Sequence, residues 1–142
     1  MKILGNSHLR ETASKIDQYL NTKYEVSSWI KPRAKTEETV NTLLEDLKCL
    51  GTQDVIVMIG GSNDIGSKRN HIHKVLVQMK QFTQENTHSN IIIVHIPPRH
   101  DMNRNLVTNV EIQAANRKLN KIAKAYNNVT IIESTLHRKY FT

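Results

Sequence analysis

Apolar residues follow two alternating patterns along the 142-residue chain. Continuous apolar runs are typical of strands buried on both faces, whereas apolar residues three or four positions apart are typical of helices packed against a core. The continuous runs predict strands over residues 2–4, 54–59, 91–96 and 129–132, and residues 24–30, which are rich in β-forming residues, predict a fifth strand. The spaced patterns predict helices over residues 9–20, 36–50, 68–84 and 107–126.

The alternation of strands with helices predicts crossover connections and therefore a parallel sheet. We expect an α/β fold: a three-layer α/β/α sandwich with a flavodoxin-like, five-stranded parallel sheet, formed by one domain over residues 1–142. In the second helix, Thr36 is the predicted N-cap and Gly51 the predicted C′ residue. Cys49 lies on the apolar side of that helix and is predicted to be a core residue.

Composition informs the cellular setting more than the fold. Cys49 is the only cysteine, which excludes an intrachain disulfide, and no run approaches the ~20 apolar residues that span a bilayer. We therefore expect a cytoplasmic protein that does not enter a membrane. The net charge of +7 raises the chance of a polyanionic partner. The alternative is a basic surface with no specific ligand, and it is favoured because the basic residues are scattered, with Lys31, Arg33 and Lys35 as their densest cluster.

Polar clusters follow the first three predicted strands. They are Gly5-Asn6-Ser7-His8, residues 30–34, and Gly60-Gly61-Ser62-Asn63-Asp64. In open parallel α/β sheets, sites form at the carboxyl ends of the strands. The three clusters therefore predict a site that is assembled from loops at one edge of the sheet.

Ser7 stands at the start of the first predicted helix, directly after a glycine turn. Its hydroxyl and its backbone N–H would lie at the positive end of the helix, which suits a nucleophile whose own amide helps to bind the developing oxyanion. The alternative is that Asn6 or Ser7 simply caps the helix.

The loop after the third strand offers a second set of polar groups. Gly60 and Gly61 leave the strand end uncovered, so a substrate can approach the backbone there. Asn63 could donate its side-chain amide to an oxyanion, and Asp64 could hold the loop by bonding to neighbouring backbone amides. The alternative is an ordinary polar turn.

Taken together, these two segments resemble the SGNH/GDSL hydrolase superfamily, which opens with Gly-Asp-Ser and carries Gly-x-Asn-Asp after its third strand. Residues 29–32 (Trp-Ile-Lys-Pro) and residues 96–101, followed by Asn109 and Asn116, resemble the compact esterase domains of insects and retroelements. The resemblance covers essentially the whole chain. It implies the SGNH hydrolase fold and hydrolysis of a small ester through an acyl-enzyme, without a metal or an organic cofactor.

The resemblance also implies a role for individual residues. Ser7 would be the nucleophile, Asn63 an oxyanion donor through its side chain, and the Ser7 amide a second donor. The family's third donor is the backbone of a glycine after strand two, which aligns with Arg33 here, and Asn6 replaces the aspartate of Gly-Asp-Ser. The remaining loop positions of the implied site are Gly5, Gly61 and Asp64.

The family's base is a histidine in an Asp-x-x-His motif after the last strand, and that motif occurs nowhere in the 142 residues. The chain is therefore expected to be a truncated family member, either impaired as an enzyme or a pseudoenzyme. General-base assistance is typically worth ~10²–10⁴ in rate. Three histidines are candidate substitutes, namely His8, His137 and His100, of which His100 is preferred because it follows strand four at the correct edge.

An alternative hypothesis is a non-catalytic RNA-binding module on the same fold, comparable to the hydrolase-like domain of the Oskar protein. The net charge of +7 and the missing motif are consistent with it. Lys31 and Arg33, which follow a strand end, could also bind an anionic group at the rim of the pocket.

Overall fold

The computed structural model describes residues 1–5, 10–20, 23–30, 35–41, 47–61, 71–98 and 106–133. Five parallel strands form one sheet in the order β2-β1-β3-β4-β5. The strands are β1 Lys2–Gly5, β2 Ser27–Ile30, β3 Val55–Ile59, β4 Asn90–Val94 and β5 Val129–Ile132. The prediction of a five-stranded parallel sheet in an α/β fold is confirmed.

Four helices are described between these strands: α1 Arg10–Leu20, α2 Thr36–Asn41, α3 His71–Glu85 and α4 Leu106–Lys124. α2 packs against α3, and α3 packs against α4, so these three share one layer. Ile16 of α1 packs with Ile3 and Val57 on the opposite face of the sheet. Right-handed crossovers explain this division, because the β1-to-β2 connection crosses the sheet in the direction opposite to the later connections.

The main core lies between the sheet and the layer of α2, α3 and α4. Ile56 and Met58 of β3 and Ile91 and Ile93 of β4 point into it, and each of them is fully buried. Their neighbours along the strands point to the α1 face instead, because side chains alternate along a strand. Burial on both faces explains why these strands are continuous apolar runs in the sequence.

Several details differ from the sequence-based expectations. The fourth strand ends at Val94 rather than at residue 96. Thr36 is the first residue of α2 rather than its N-cap, because the Lys35 carbonyl accepts the first helical hydrogen bond, from the Thr39 N–H.

The prediction that Cys49 is a core residue was wrong, because its side chain is exposed. Cys49 lies in a turn closed by the Leu50 N–H and the Leu47 carbonyl, so the helical periodicity does not extend to it. The second strand begins at Ser27 rather than at residue 24, and Tyr24 is 38% exposed.

β1 is hydrogen-bonded to β2 on one side and to β3 on the other. Gly5, its last residue, is the register partner of both Ile30 and Ile59, which are the last residues of their own strands. The three strands therefore end together, and the chain leaves all of them at the same edge of the sheet. The adjacency of the first and third strands is the relationship on which the predicted site depends.

Candidate functional site

The candidate site lies at the carboxyl edge of the sheet, where β1, β2 and β3 end. Of the residues predicted to form it, the structure describes Gly5, at the end of β1, and Gly61, two residues after β3. The other predicted site residues lie outside the described residues: Asn6, Ser7, Arg33, Asn63, Asp64 and His100. The structure thus describes the strand ends that precede these residues in the sequence.

Gly61 has a backbone conformation that favours glycine. Its φ of 95° lies in the region that only glycine adopts without strain. A Cβ on Gly61 would lie only 2.8 Å from Cδ1 and 3.0 Å from Cγ1 of Ile96. Two independent restraints, backbone conformation and close packing, therefore require glycine at this position, directly before the Ser62-Asn63-Asp64 segment.

Ile96, the residue that Gly61 contacts, is held in place by Asn116 of α4. The Ile96 N–H donates to Asn116 Oδ1 at 2.9 Å, and Asn116 Nδ2 donates back to the Ile96 carbonyl at 3.0 Å. Ile96 follows β4 with its side chain 1% exposed, so its backbone groups need protein partners. One carboxamide thus fixes the point from which the chain leaves toward Pro97, Pro98 and residue 100.

A second polar contact joins the same two elements one turn further along α4. His95 Nε2 and Asn120 Oδ1 are 2.9 Å apart, and His95 is 9% exposed. Because a carboxamide oxygen only accepts hydrogen bonds, the His95 Nε2 carries the proton in this contact. Asn116 and Asn120 are four residues apart on one side of α4, so together they align the helix with the end of β4.

An ion pair connects the helices that follow β2 and β3. Lys74 Nζ of α3 donates to Glu37 Oε2 of α2 at 2.7 Å, with both side chains largely exposed. The hydrogen bond from Lys74, and then its positive charge, hold the pKa of Glu37 below its ordinary value. Thr36, the residue before Glu37, is buried, and its hydroxyl would lie 3.6 Å from a Cβ on Gly60. The start of α2 is therefore packed against Gly60, the first residue after β3.

Among the described residues, no group of three or more histidine, cysteine, aspartate or glutamate side chains could hold a metal ion. No described helix is both long enough and apolar enough to cross a membrane.

Comparison with known proteins bears on the fold. No protein-family model matches the chain, and no curated protein matches it in sequence. Solved structures do match it. One is a candidate acylhydrolase from Bacteroides fragilis, which shares 16% identity with a TM-score of 0.69 over 93% of this chain and 65% of its own.

Two further structures match over 93% of this chain. A GDSL-like lipase from Bacteroides thetaiotaomicron shares 13% identity with a TM-score of 0.67, over 66% of its own length. A candidate platelet activating factor from Streptococcus pneumonia shares 21% identity with a TM-score of 0.66, over 64% of its own length. The chain therefore has the fold of GDSL-like lipases and acylhydrolases, and it spans about two thirds of the length of these three structures.

Sequence reasoning missed the polar contacts between β4 and α4. His95 continues the inward-facing alternation of Ile91 and Ile93, so a polar residue at that position was a signal that it needs a partner. Asn116 stood out only through a family resemblance, and its contact with Ile96 was not predicted. Asn120 carried no signal of its own in the sequence.

Proposed function

We propose that this chain is an SGNH-type serine esterase-like domain that hydrolyses a small ester through an acyl-enzyme on Ser7. The observation that carries the proposal is the pairing of β1 with β3, in which Gly5 and Ile59 are register partners. Ser7 follows Gly5 by two residues and Asn63 follows Gly61 by two, so both leave from neighbouring strand ends about 5 Å apart. The likeness to GDSL-like lipases and acylhydrolases supports the same assignment.

In the proposed reaction, Ser7 Oγ attacks the ester carbonyl carbon while a base accepts the hydroxyl proton. The Ser7 N–H and the Asn63 side-chain amide would bind the oxyanion that develops on the carbonyl oxygen. The bond to the alcohol then breaks, and the alcohol leaves with the proton. Water attacks the acyl-enzyme in the same way, releasing the acid and restoring the serine.

His100 is our proposed base. His100 follows Ile96 by four residues in the sequence. Ile96 packs next to Gly61, which lies two residues after the end of β3. β4 lies two strands from β1, or about 10 Å, whereas β5, from which His137 departs, lies three strands away, or about 14 Å. We expect replacement of this base to slow turnover strongly, because general-base assistance is worth ~10²–10⁴ in rate.

The test is hydrolysis of p-nitrophenyl acetate by the wild type, Ser7→Ala, Asn63→Ala and the matched control Ser14→Ala. Ser14 is an exposed serine on α1, so its loss should leave the rate unchanged. We expect Ser7→Ala to abolish the rate above background and Asn63→Ala to lower it by about 10²–10³. Equal rates for Ser7→Ala and Ser14→Ala would eliminate a serine mechanism.

A second candidate function is binding of RNA, and the surface of α4 favours it. Arg117, Lys121 and Lys124 recur at four- and three-residue steps on an exposed face, with Lys118 beside them, and Glu111 is the only acidic residue of the helix. These cations also complement the negative end of the helix dipole. As phosphate ligands, they would make binding fall steeply with added salt.

The RNA-binding function is tested by measuring the affinity for a single-stranded RNA oligonucleotide at several salt concentrations. Replacing Lys121 and Lys124 by glutamine should lower the salt slope by about 0.7 for each phosphate that is no longer neutralised. The matched control replaces Lys15 and Lys80, which are exposed on α1 and α3, and should leave the slope unchanged. Equal slopes in the two double variants would exclude α4 as the binding face.

A further inference from the structure

A depression of about 570 Å³ lies at the edge of the sheet where the strands begin. It spans three adjacent strands, because its lining comes from the starts of β1 and β2 and from the turn that precedes β3. Its volume falls within the range of small-molecule sites. The candidate catalytic residues follow the opposite ends of the strands, so this depression is a separate feature of the molecule.

Backbone hydrogen bonds fix the walls of the depression. The Lys23 and Tyr24 N–H groups both donate to the Leu20 carbonyl, at 2.9 and 3.1 Å, where α1 ends. On the β3 side, the Gly51 N–H donates to Asp54 Oδ2 at 2.7 Å, and the Asp54 N–H donates back to the Gly51 carbonyl at 3.1 Å. The backbone around the depression is therefore preformed, which lowers the entropy cost of binding a ligand.

Tyr24 and Leu50 give the depression an apolar part. Tyr24 is 38% exposed and is the one aromatic residue of the described lining. Leu50 is half-buried and packs against the main core of the protein. A half-exposed aromatic ring is a platform on which a planar heterocycle can stack.

The polar part of the lining carries charges of both signs. Lys2 and Lys23 supply ammonium groups, Glu25 and Asp54 supply carboxylates, and Gln53 supplies a carboxamide. A simple anion would be attracted by the lysines and repelled by the carboxylates. A ligand that carries both an anionic group and N–H donors suits this lining better. Its anion can pair with a lysine while its N–H groups donate to a carboxylate or carboxamide oxygen.

We propose that this depression binds a nucleotide, with the base stacked on Tyr24 and the phosphate beside Lys23. A nucleotide joins a planar ring, N–H donors on the edge of its base and a phosphate anion. A quaternary ammonium ligand is instead held by a cage of aromatic rings, whereas the described lining has one such ring. The proposal does not involve Ser7 and is independent of the esterase assignment.

The nucleotide could be a free molecule or one unit of an RNA strand, and α4 distinguishes these two sources. α4 ends at Lys124, shortly before β5 begins, so Lys121 and Lys124 lie toward the same edge of the sheet as the depression. β1 and β5 are three strands apart, or about 14 Å. A strand of several nucleotides that was seated in the depression could therefore reach these lysines, whereas a single nucleotide could not.

The test is titration of the full chain with adenosine monophosphate, ribose 5-phosphate and phosphocholine, followed by NMR of the Tyr24 ring and the Gln53 side-chain amide. We expect adenosine monophosphate to shift both sets of signals. It should bind at least about fivefold more tightly than ribose 5-phosphate, which lacks the base. Equal affinities for these two probes, tighter binding of phosphocholine than of adenosine monophosphate, or no shift with any probe would overturn the proposal.

Variants of one tyrosine locate the base. Tyr24→Ala should weaken the binding of adenosine monophosphate about fivefold or more, whereas Tyr24→Phe keeps the ring and should bind as the wild type does. Tyr19→Ala is the matched control, because Tyr19 is 87% exposed on α1 and lies outside the described lining. Equal affinities of Tyr24→Ala and Tyr19→Ala would refute the assignment.

The double variant Lys121→Gln with Lys124→Gln separates the two sources. Weaker binding of an adenine oligonucleotide, with unchanged binding of adenosine monophosphate, supports the site as part of an RNA-binding surface. Unchanged binding of both supports a site for a free nucleotide. Loss of adenosine monophosphate binding in this variant would place the nucleotide on α4 and overturn the proposal. Because Ser7→Ala should bind adenosine monophosphate as the wild type does, a failed esterase assay and a failed nucleotide assignment are separate results.

Discussion

The side chain of Asn116 both donates to and accepts from the backbone of Ile96, at 3.0 and 2.9 Å. The two residues are twenty positions apart, and their contact joins the middle of α4 to the residue beyond the end of β4. Ile96 in turn packs on Gly61 beyond the end of β3. The frame of the candidate site thus depends on a carboxamide that the proposed reaction does not itself use.

Asn116→Leu removes both hydrogen bonds and leaves a buried N–H and a buried carbonyl without partners. We expect a loss of about 2 kcal/mol in the free energy of unfolding, measured by urea denaturation. Esterase kcat should also fall, because the start of the segment leading to His100 is released. Lys118→Ala, an exposed change on the same helix, should alter stability only slightly. Equal stability of the two variants would show that the Asn116 contact contributes little.

Gly61→Ala is expected to destabilise the protein by about 2 kcal/mol or more, because φ is 95° and the new Cβ would collide with Ile96. The matched control is Gly51→Ala, whose Cβ would meet only the Asp54 carboxylate, at 3.8 Å. Adding Ile96→Val removes the nearest atom, Cδ1, and should recover part of the stability. Additive effects of Gly61→Ala and Ile96→Val would contradict the contact.

The pair of His95 and Asn120 can be tested by a double-mutant cycle. Asn120→Leu alone should destabilise the fold by about 1–2 kcal/mol, because a buried ring N–H is left without its acceptor. The double variant with His95→Phe makes both partners apolar and should be less destabilised than the sum of the two single variants. A zero coupling energy from thermal or urea unfolding would mean that the hydrogen bond adds no stability.

The ion pair of Glu37 with Lys74 predicts a pH dependence of stability. The folded-state pKa of Glu37 is lowered, so its contribution is present at neutral pH and is lost as the pH falls through that pKa, below 4.5. Glu37→Gln should therefore lower the Tm at neutral pH and have no effect under strongly acidic conditions. The pair is exposed, so added salt should also reduce the difference. Glu25→Gln, an exposed carboxylate elsewhere, is the control. A Tm difference independent of pH would exclude the ion pair as its cause.

The sheet was predictable because its signal is local. β3 and β4 are continuous apolar runs, so their presence and burial follow from a few adjacent residues such as Val57 and Ile91. The parallel arrangement followed from the alternation of strands with helices. The exposure of Cys49 was not predictable by the same means, because the periodic pattern does not mark where the helix gives way to a turn.

The hydrogen bonds between α4 and the end of β4 were harder to predict from the sequence. Asn116 with Ile96 and His95 with Asn120 join residues 20 and 25 positions apart. Whether a polar side chain on α4 meets the end of β4 depends on the rotation and tilt of the helix, which local sequence does not determine. Glycine at position 61 was predicted to leave the strand end uncovered, whereas the structure shows that it also avoids the side chain of Ile96.

The most direct measurement of the central claim is covalent labelling of the full chain with a fluorophosphonate, followed by peptide mass spectrometry. Such a reagent forms a stable phosphonyl ester with an activated serine and releases fluoride. We predict one dominant adduct on Ser7, reduced in Asn63→Ala and absent in Ser7→Ala, while Ser14 and Ser28 remain unlabelled although both are exposed. Labelling spread over exposed serines, or labelling undiminished in Ser7→Ala, would contradict a nucleophilic serine at the end of β1.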